Sequence, residues 1–242
     1  MPATVTSVPA RPSHRYYDLI LVAFVVVLLL SNLIGAGKVA VIWLPGLGEV
    51  SYSAGVLFFP ISYFFGDVLT EVYGYAYDRR AVWAGFAALL FAAVMSAVVV
   101  ALPAARDTYM TTYQTHLLAV FGNTPRIVLG SILAFWAGSL SNAVVLAKLK
   151  VRSAGRHLWL RAIASTAVGE AIDSTLFYML AFYAIWPTAR ILHVALTQYL
   201  LKTTWEIIAT PLTYWIVGTL KRVEQRDHYD RDTDFTPFRL KL

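Results

Sequence analysis

Six apolar stretches, each long enough to cross a bilayer, take up most of this 242-residue chain: residues 17–35, 54–73, 81–102, 127–146, 162–186 and 194–220. A hydrocarbon core about 30 Å thick is spanned by about 20 helical residues. Lipid offers no partner to backbone N–H and C=O groups, so segments of this kind satisfy themselves as helices. The expected fold is therefore an all-α integral membrane protein of six transmembrane helices. Short loops leave no room for a separate extramembrane domain. The chain divides into an N-terminal tail (1–16), a six-helix membrane domain (17–220) and a charged C-terminal tail (221–242) that is expected to fray.

Composition agrees: 58% of residues are hydrophobic and only 14% charged. The net charge of +6 would suit nucleic acid, but the basic residues cluster beside the apolar stretches, where membrane topology accounts for them. Nucleic-acid binding is set aside on that ground. If six helices alternate, Arg11, Arg15, Arg79, Arg80, Lys148, Lys150, Arg152, Arg156, Arg161, Lys221 and Arg222 share one side, against Lys38, Arg106, Arg126 and Arg190 on the other. Both termini are then expected to be cytoplasmic. The first apolar run follows a polar, proline-containing segment (1–13) and lacks a small-residue cleavage pattern, which reads as a retained helix. With no cysteine, and with His116, His157 and His193 at no metal-binding spacing, the sequence points to no metal and no cofactor. Gly35, Gly37, Pro45, Gly46 and Gly48 mark a loop after the first helix, and Pro60 is expected to kink the second.

Ionisable residues recur inside these stretches: Asp67 and Glu71, Glu170 and Asp173, Lys202 and Glu206. Each costs roughly 2.5–3.5 kcal/mol or more near a bilayer midplane, so such groups face a cavity, a partner charge or a transport path. Gln198, Lys202 and Glu206 recur every four residues and share one stripe of the sixth helix. Ser165, Gly169 and Asp173 do the same on the fifth, with Glu170 beside them, and Gly130, Ala134, Gly138 and Asn142 on the fourth. Glu170, Asp173, Lys202 and Glu206 fall near mid-depth, with Asp67, Asn142 and then Glu71 progressively nearer the cytoplasmic side. A purely structural reading competes at each place. Lys202 and Glu206 suit an internal ion pair, Asp67 and Glu71 suit pairing with Arg79 or Arg80, and the glycine seam suits helix packing or a homodimer contact. Glu170 and Asp173 have no cation at helical spacing, which makes them the stronger site candidates. Most tryptophans fit the interfacial belts, but Trp205 is deep enough to line a pocket.

The strings Phe59-Pro60-Ile61-Ser62-Tyr63 and Gly66-Asp67-Val68-Leu69-Thr70-Glu71-Val72-Tyr73-Gly74-Tyr75, followed by Arg79-Arg80 and Trp83-Ala84-Gly85-Phe86, closely resemble the second-helix signature of the queuosine precursor transporter family, formerly the vitamin uptake transporter family. Leu158-Trp159-Leu160-Arg161, Ser165-Thr166 and Asp173-Ser174-Thr175-Leu176-Phe177 are similar to its fifth-helix pattern. Gln198-Tyr199-Leu200-Leu201-Lys202, Glu206 and Ala209-Thr210-Pro211-Leu212-Thr213-Tyr214 are similar to its sixth. The resemblance runs from about residue 17 to 224. It departs at Glu170, often glutamine in the family, and at Asn142, often aspartate.

The resemblance implies a cytoplasmic-membrane importer, not an enzyme, for deazapurine precursors of queuosine: 7-cyano-7-deazaguanine, 7-aminomethyl-7-deazaguanine or queuine. A guanine-like edge offers N1–H and an amine as donors to a carboxylate, and an O6 acceptor to a lysine or amide. On this expectation Glu170 or Asp173 reads the donor edge, Lys202 with Gln198 or Asn142 reads the acceptor, Trp205 or Phe177 stacks on the ring, Glu206 orients Lys202, and Asp67 meets an aminomethyl cation. Asp67 or Glu71 is available for proton coupling, with facilitated diffusion the alternative. No phosphate-cradling Gly-Lys-Ser/Thr loop is present, so any ATP-driven mode needs partners, as in the substrate-capture subunits of energy-coupling-factor importers. An intramembrane hydrolase built on Ser139 and His193 fits poorly, because Gly138-Ser139-Leu140-Ser141 lacks the glycine expected after the serine.

Overall fold

A computed structural model describes residues 14–35, 38–46, 48–122 and 125–239. Residues 1–13 of the N-terminal tail, with Arg11, and the loop residue Gly37 lie outside the described residues. Among the described residues seven α-helices and one hairpin follow in order: α1 (Tyr17–Leu30), β1 (Val39–Leu44), β2 (Gly48–Ser53), α2 (Phe59–Tyr73), α3 (Tyr75–Ala101), α4 (Thr108–Phe121), α5 (Pro125–Arg152), α6 (Leu158–Phe182) and α7 (Thr188–Glu224). The long helices alternate in direction between a basic end, where α1 begins and α7 finishes, and a hairpin end. Among the described residues four stretches are long and apolar enough to cross a membrane: Tyr17–Gly35, Ala54–Tyr73, Tyr75–Ala101 and Arg126–Arg152. The long helices α6 and α7 carry charged residues at their centres and are not among those four.

Two expectations need correcting at the hairpin end. The predicted loop after α1 contains a two-stranded antiparallel hairpin, Val39 opposite Ser53 through to Leu44 opposite Gly48, so the fold is not purely α. The β-branched and aromatic residues of Val39–Leu44 and the Pro45-Gly46 turn account for it. Helix α4 matches none of the six apolar stretches; Asp107 caps it by accepting the Met110 amide at 2.8 Å. No residue of α4 is buried, and Gln114 ties it to α3 through the Val100 carbonyl at 2.8 Å.

Helix α2 is the axis of the bundle, buried on nearly every face from Pro60 to Tyr73. Pro60 does not kink it. A 3-10 turn (Ala54–Leu57) leads in, and the proline occupies the first turn of α2, where its missing N–H costs no hydrogen bond. The expected loop before α3 shrinks to Gly74, whose φ of 93° suits glycine. A Cβ at Gly74 would also meet the His228 ring within about a bond length of overlap. Around this axis the outer surface is apolar, with Leu19, Val22, Phe91, Val94, Leu129, Ile208 and Trp215 exposed, the inverse of a soluble surface and suited to lipid.

Helices α5 and α6 form the closest pair because glycines face each other. A Cβ on Gly138 would lie 2.9 Å from the Gly169 carbonyl oxygen and 2.8 Å from Asp173 Cβ, and one on Gly169 would lie 2.8 Å from Asn142 Cβ. Gly130 meets Leu180 and Ala181 in the same way. The small-residue seam is thus used within the chain, not as an outward face for a second copy.

The C-terminal segment does not fray. Residues 226–239 fold back across the basic end, where Asp230 accepts the Tyr75 amide at 3.1 Å, Arg79 donates to the carbonyls of Asp234 and Thr236 at 2.9 and 2.7 Å, and Trp83 donates to the Pro237 carbonyl at 2.8 Å. Phe235 packs on Tyr75, and Phe238 on Trp83 and Trp136. At the other side of this end, Glu224 accepts the amides of Arg15 and Tyr16, which start α1. Burial works against the charge of Asp230, but hydrogen bonds from His228, Thr233 and the Tyr75 amide outweigh it and hold its carboxyl below the usual range. Its folded value lies below its unfolded one, so the attachment is complete above about pH 4 and is lost as pH falls from there towards the depressed value. Hydrogen exchange should therefore show the Tyr75 amide protected at pH 7 and 5 and losing protection as the pH falls below about 4, after correction for intrinsic rates.

Candidate substrate-binding site

The inward charges form two layers. In the middle layer Lys202 of α7 crosses to α6, donating to Glu170 Oε2 at 2.8 Å and Asp173 Oδ2 at 2.5 Å. The Phe59 ring at the start of α2 covers the ammonium, 4.3 Å from Nζ to the centroid. Glycine packing of α5 on α6 fixes the depth of Asp173, and Glu170 stands beside it, 1% exposed. Nearer the basic end, Asn142 Nδ2 donates to Asp67 Oδ1 at 2.7 Å, linking α5 to α2.

Among the described residues, several buried polar atoms in and beside this layer have no hydrogen-bond partner: Asp67 Oδ2, Asn142 Oδ1, Glu170 Oε1, Ser174 Oγ and both carboxyl oxygens of Glu206. Leaving such groups unpaired in an apolar interior is costly, so their presence beside the Lys202 cluster suits a place that meets polar groups. Two surface grooves lie elsewhere. One of about 690 Å³ runs between α5 and α6 beside Arg126 and Tyr183, and one of about 300 Å³ is lined by apolar residues of α1, α2 and α7. The charged layer itself is closed, with Lys202 only 11% exposed.

The structure brings Glu170, Asp173 and Lys202 into one cluster and joins Asn142 to Asp67. It does not form the Lys202–Glu206 pair: the lysine reaches across to two carboxylates on α6, and the Glu206 carboxyl is left without a partner. Glu206 therefore does not orient Lys202 in this arrangement. Gln198 lies half-buried one turn away, outside these contacts. Trp205 packs against the hydrophobic core and Phe177 against Tyr178 and Phe182, so the aromatic that meets Lys202 is Phe59, with Tyr63 close by. Pro60 between those two aromatics, marking a helix start and not a kink, was the signal that could have found them.

The second layer, at the basic end, surrounds Glu71. Arg161 binds its carboxylate in bidentate fashion at 2.8 and 3.2 Å, Lys221 at 2.6 Å, and Lys150 lies 3.5 Å away while donating to the Glu71 carbonyl at 2.6 Å. Asp227 of the C-terminal segment bridges Lys150 and Lys221 at 2.5 and 2.8 Å. Glu71 is paired with neither Arg79 nor Arg80. Three cations converge on it, the arrangement of an anchor.

A bundle of apolar helices with a closed, charged layer at its centre suits a membrane transport protein, and sequence comparison gives that class. Residues 53–216 match the family described as "Putative vitamin uptake transporter", and the chain belongs to that family. It is 39% identical over 170 residues, 69% of either chain, to a Bacillus subtilis (strain 168) protein named "Probable queuosine precursor transporter". No solved structure matches. The chain is thus a multi-pass membrane transporter, of the inner membrane in bacteria, and not an enzyme.

Proposed function

We propose that this protein imports queuosine precursors, 7-cyano-7-deazaguanine, 7-aminomethyl-7-deazaguanine or queuine, across the cytoplasmic membrane through six crossings, with its basic end and both termini in the cytoplasm. The observation that carries the reading is the Lys202–Glu170–Asp173 cluster, which holds a cation and two carboxylates at one depth amid unpartnered polar atoms. A deazaguanine edge complements it: N1–H and the exocyclic amine donate to Glu170 or Asp173, while O6 accepts from Lys202 or from Asn142. Phe59, already against Lys202, is placed to cover the flat ring. Asp67 suits the aminomethyl cation. A homodimer would need a face other than the Gly130 seam, which α6 occupies.

The test is uptake of labelled deazaguanine precursors and of guanine into vesicles containing only the purified protein. Saturable uptake that excludes guanine, abolished by Asp173→Asn in a protein that still folds, supports the reading. Unchanged transport by Asp173→Asn removes that assignment, and binding without uptake points instead to an energising partner of the energy-coupling-factor kind.

A further inference from the structure

The buried carboxyls of the bundle are unequally provided for. Glu71 has three cations, Glu170 and Asp173 share Lys202, and Asp67 has the Asn142 amide. Glu206 has no partner among the described residues: it is 0% exposed, at the midpoint of α7, and neither oxygen is hydrogen-bonded. The charged groups that face it, Asp67 from α2 and Glu170 from α6, are both acids. Asn142 on α5 is a neutral amide, the turn Ala54–Leu57 carries no ionisable residue, and Lys202, four residues earlier on the same stripe, is turned away to α6. An ionised carboxylate without a donor, in an apolar interior and before two other acids, is not a sustainable arrangement, so the closed bundle requires Glu206 to carry its proton.

From this geometry we infer that Glu206 is the proton-carrying group of a proton-coupled carrier, and that one proton crosses with each precursor molecule. The inference rests on the transport function proposed above. A proton taken from the outer side forms the Glu206 carboxylic acid, the bundle closes around acid and substrate, and opening inward returns the proton to water and leaves the carboxylate. Lys202, bound to α6 in the closed bundle, is within i,i+4 reach of that carboxylate and can turn to it once inward opening parts α7 from α6, which lets the empty carrier reset without a proton. Glu71, fixed by its cations, has no part in the cycle.

Vesicles containing the full-length protein, a lumenal pH indicator, a potassium–valinomycin voltage clamp and labelled 7-cyano-7-deazaguanine decide this. With the outside about one pH unit more acidic, one proton per neutral substrate supports about tenfold accumulation. Substrate-dependent acidification of the lumen should accompany uptake, disappear in Glu206→Gln and persist in Glu206→Asp, which keeps the carboxyl. Wild-type uptake that is saturable but moves no protons and ignores the gradient overturns the inference and leaves the proposed function standing. Proton movement that survives in Glu206→Gln overturns the assignment to Glu206. Absence of saturable precursor uptake by the wild type removes the proposed function and the inference with it.

Discussion

Lys202→Met is expected to lower the initial rate of precursor uptake more than about 100-fold, because removing one partner of a buried charge cluster costs about 3–5 kcal/mol. The substitution keeps length and apolar bulk under Phe59 but strands Glu170 and Asp173, both buried, without their shared cation. A loss of that size could come from a locked bundle falling apart as well as from a lost binding group. The triple variant Lys202→Met/Glu170→Gln/Asp173→Asn separates the two. Neutralising every member removes the unpaired charge and restores stability, as expected when a buried ionic cluster is replaced whole. If the cluster reads substrate, the triple variant melts near the wild-type temperature in detergent and still does not transport. Recovery of uptake in the triple variant would make the cluster a structural lock and nothing more.

The middle layer was legible in the sequence as a set of residues but not as a set of pairs. Helical spacing put Gln198, Lys202 and Glu206 on one stripe, and the seam Gly130-Ala134-Gly138-Asn142 on another. Spacing along one helix does not give the rotation of that helix against its neighbours, however, and the rotation decided the partner. Close packing of α5 on α6 brings Asp173 towards the bundle axis, and two carboxylates across the interface outcompete one carboxylate a turn away. The same limit applies to Glu71, where arginines eight and nine residues on were the nearest cations in sequence. The actual partners come from three other helix ends, 79 to 150 residues distant.

Elements outside the apolar stretches were the ones misread. A charged tail beyond Lys221 has the composition of a solvated segment, yet Tyr229, Phe235 and Phe238 are interleaved with its charges and supply what binds it. Lys150 lies over the Tyr229 ring at 4.7 Å and Lys148 over Phe235 at 5.2 Å. Asp230 with Thr233, joined at 2.8 Å, forms a local turn that presents the carboxylate to the first amide of α3. That amide is one of the free donors left by a helix start, and Gly74 is the opening that admits the segment.

That segment and Glu71 form one structure, and the second large effect is expected there. Glu71→Gln leaves Arg161, Lys150 and Lys221 facing a neutral amide in a layer where the first two are 3% and 1% exposed. Asp227 is then the remaining carboxylate for two of them, and it is 42% exposed and carried by the C-terminal segment itself. Three cations confined around one amide repel each other and lose a bidentate hydrogen-bonded partner, a cost of about 3–5 kcal/mol. The expected result is a sharply lowered melting temperature in detergent, together with early proteolysis at Arg231. Arg161→Lys should lie between wild type and Glu71→Gln, because an ammonium keeps the charge but not the two-point fork. Wild-type stability of Glu71→Gln would show that the cations hold the basic end without it.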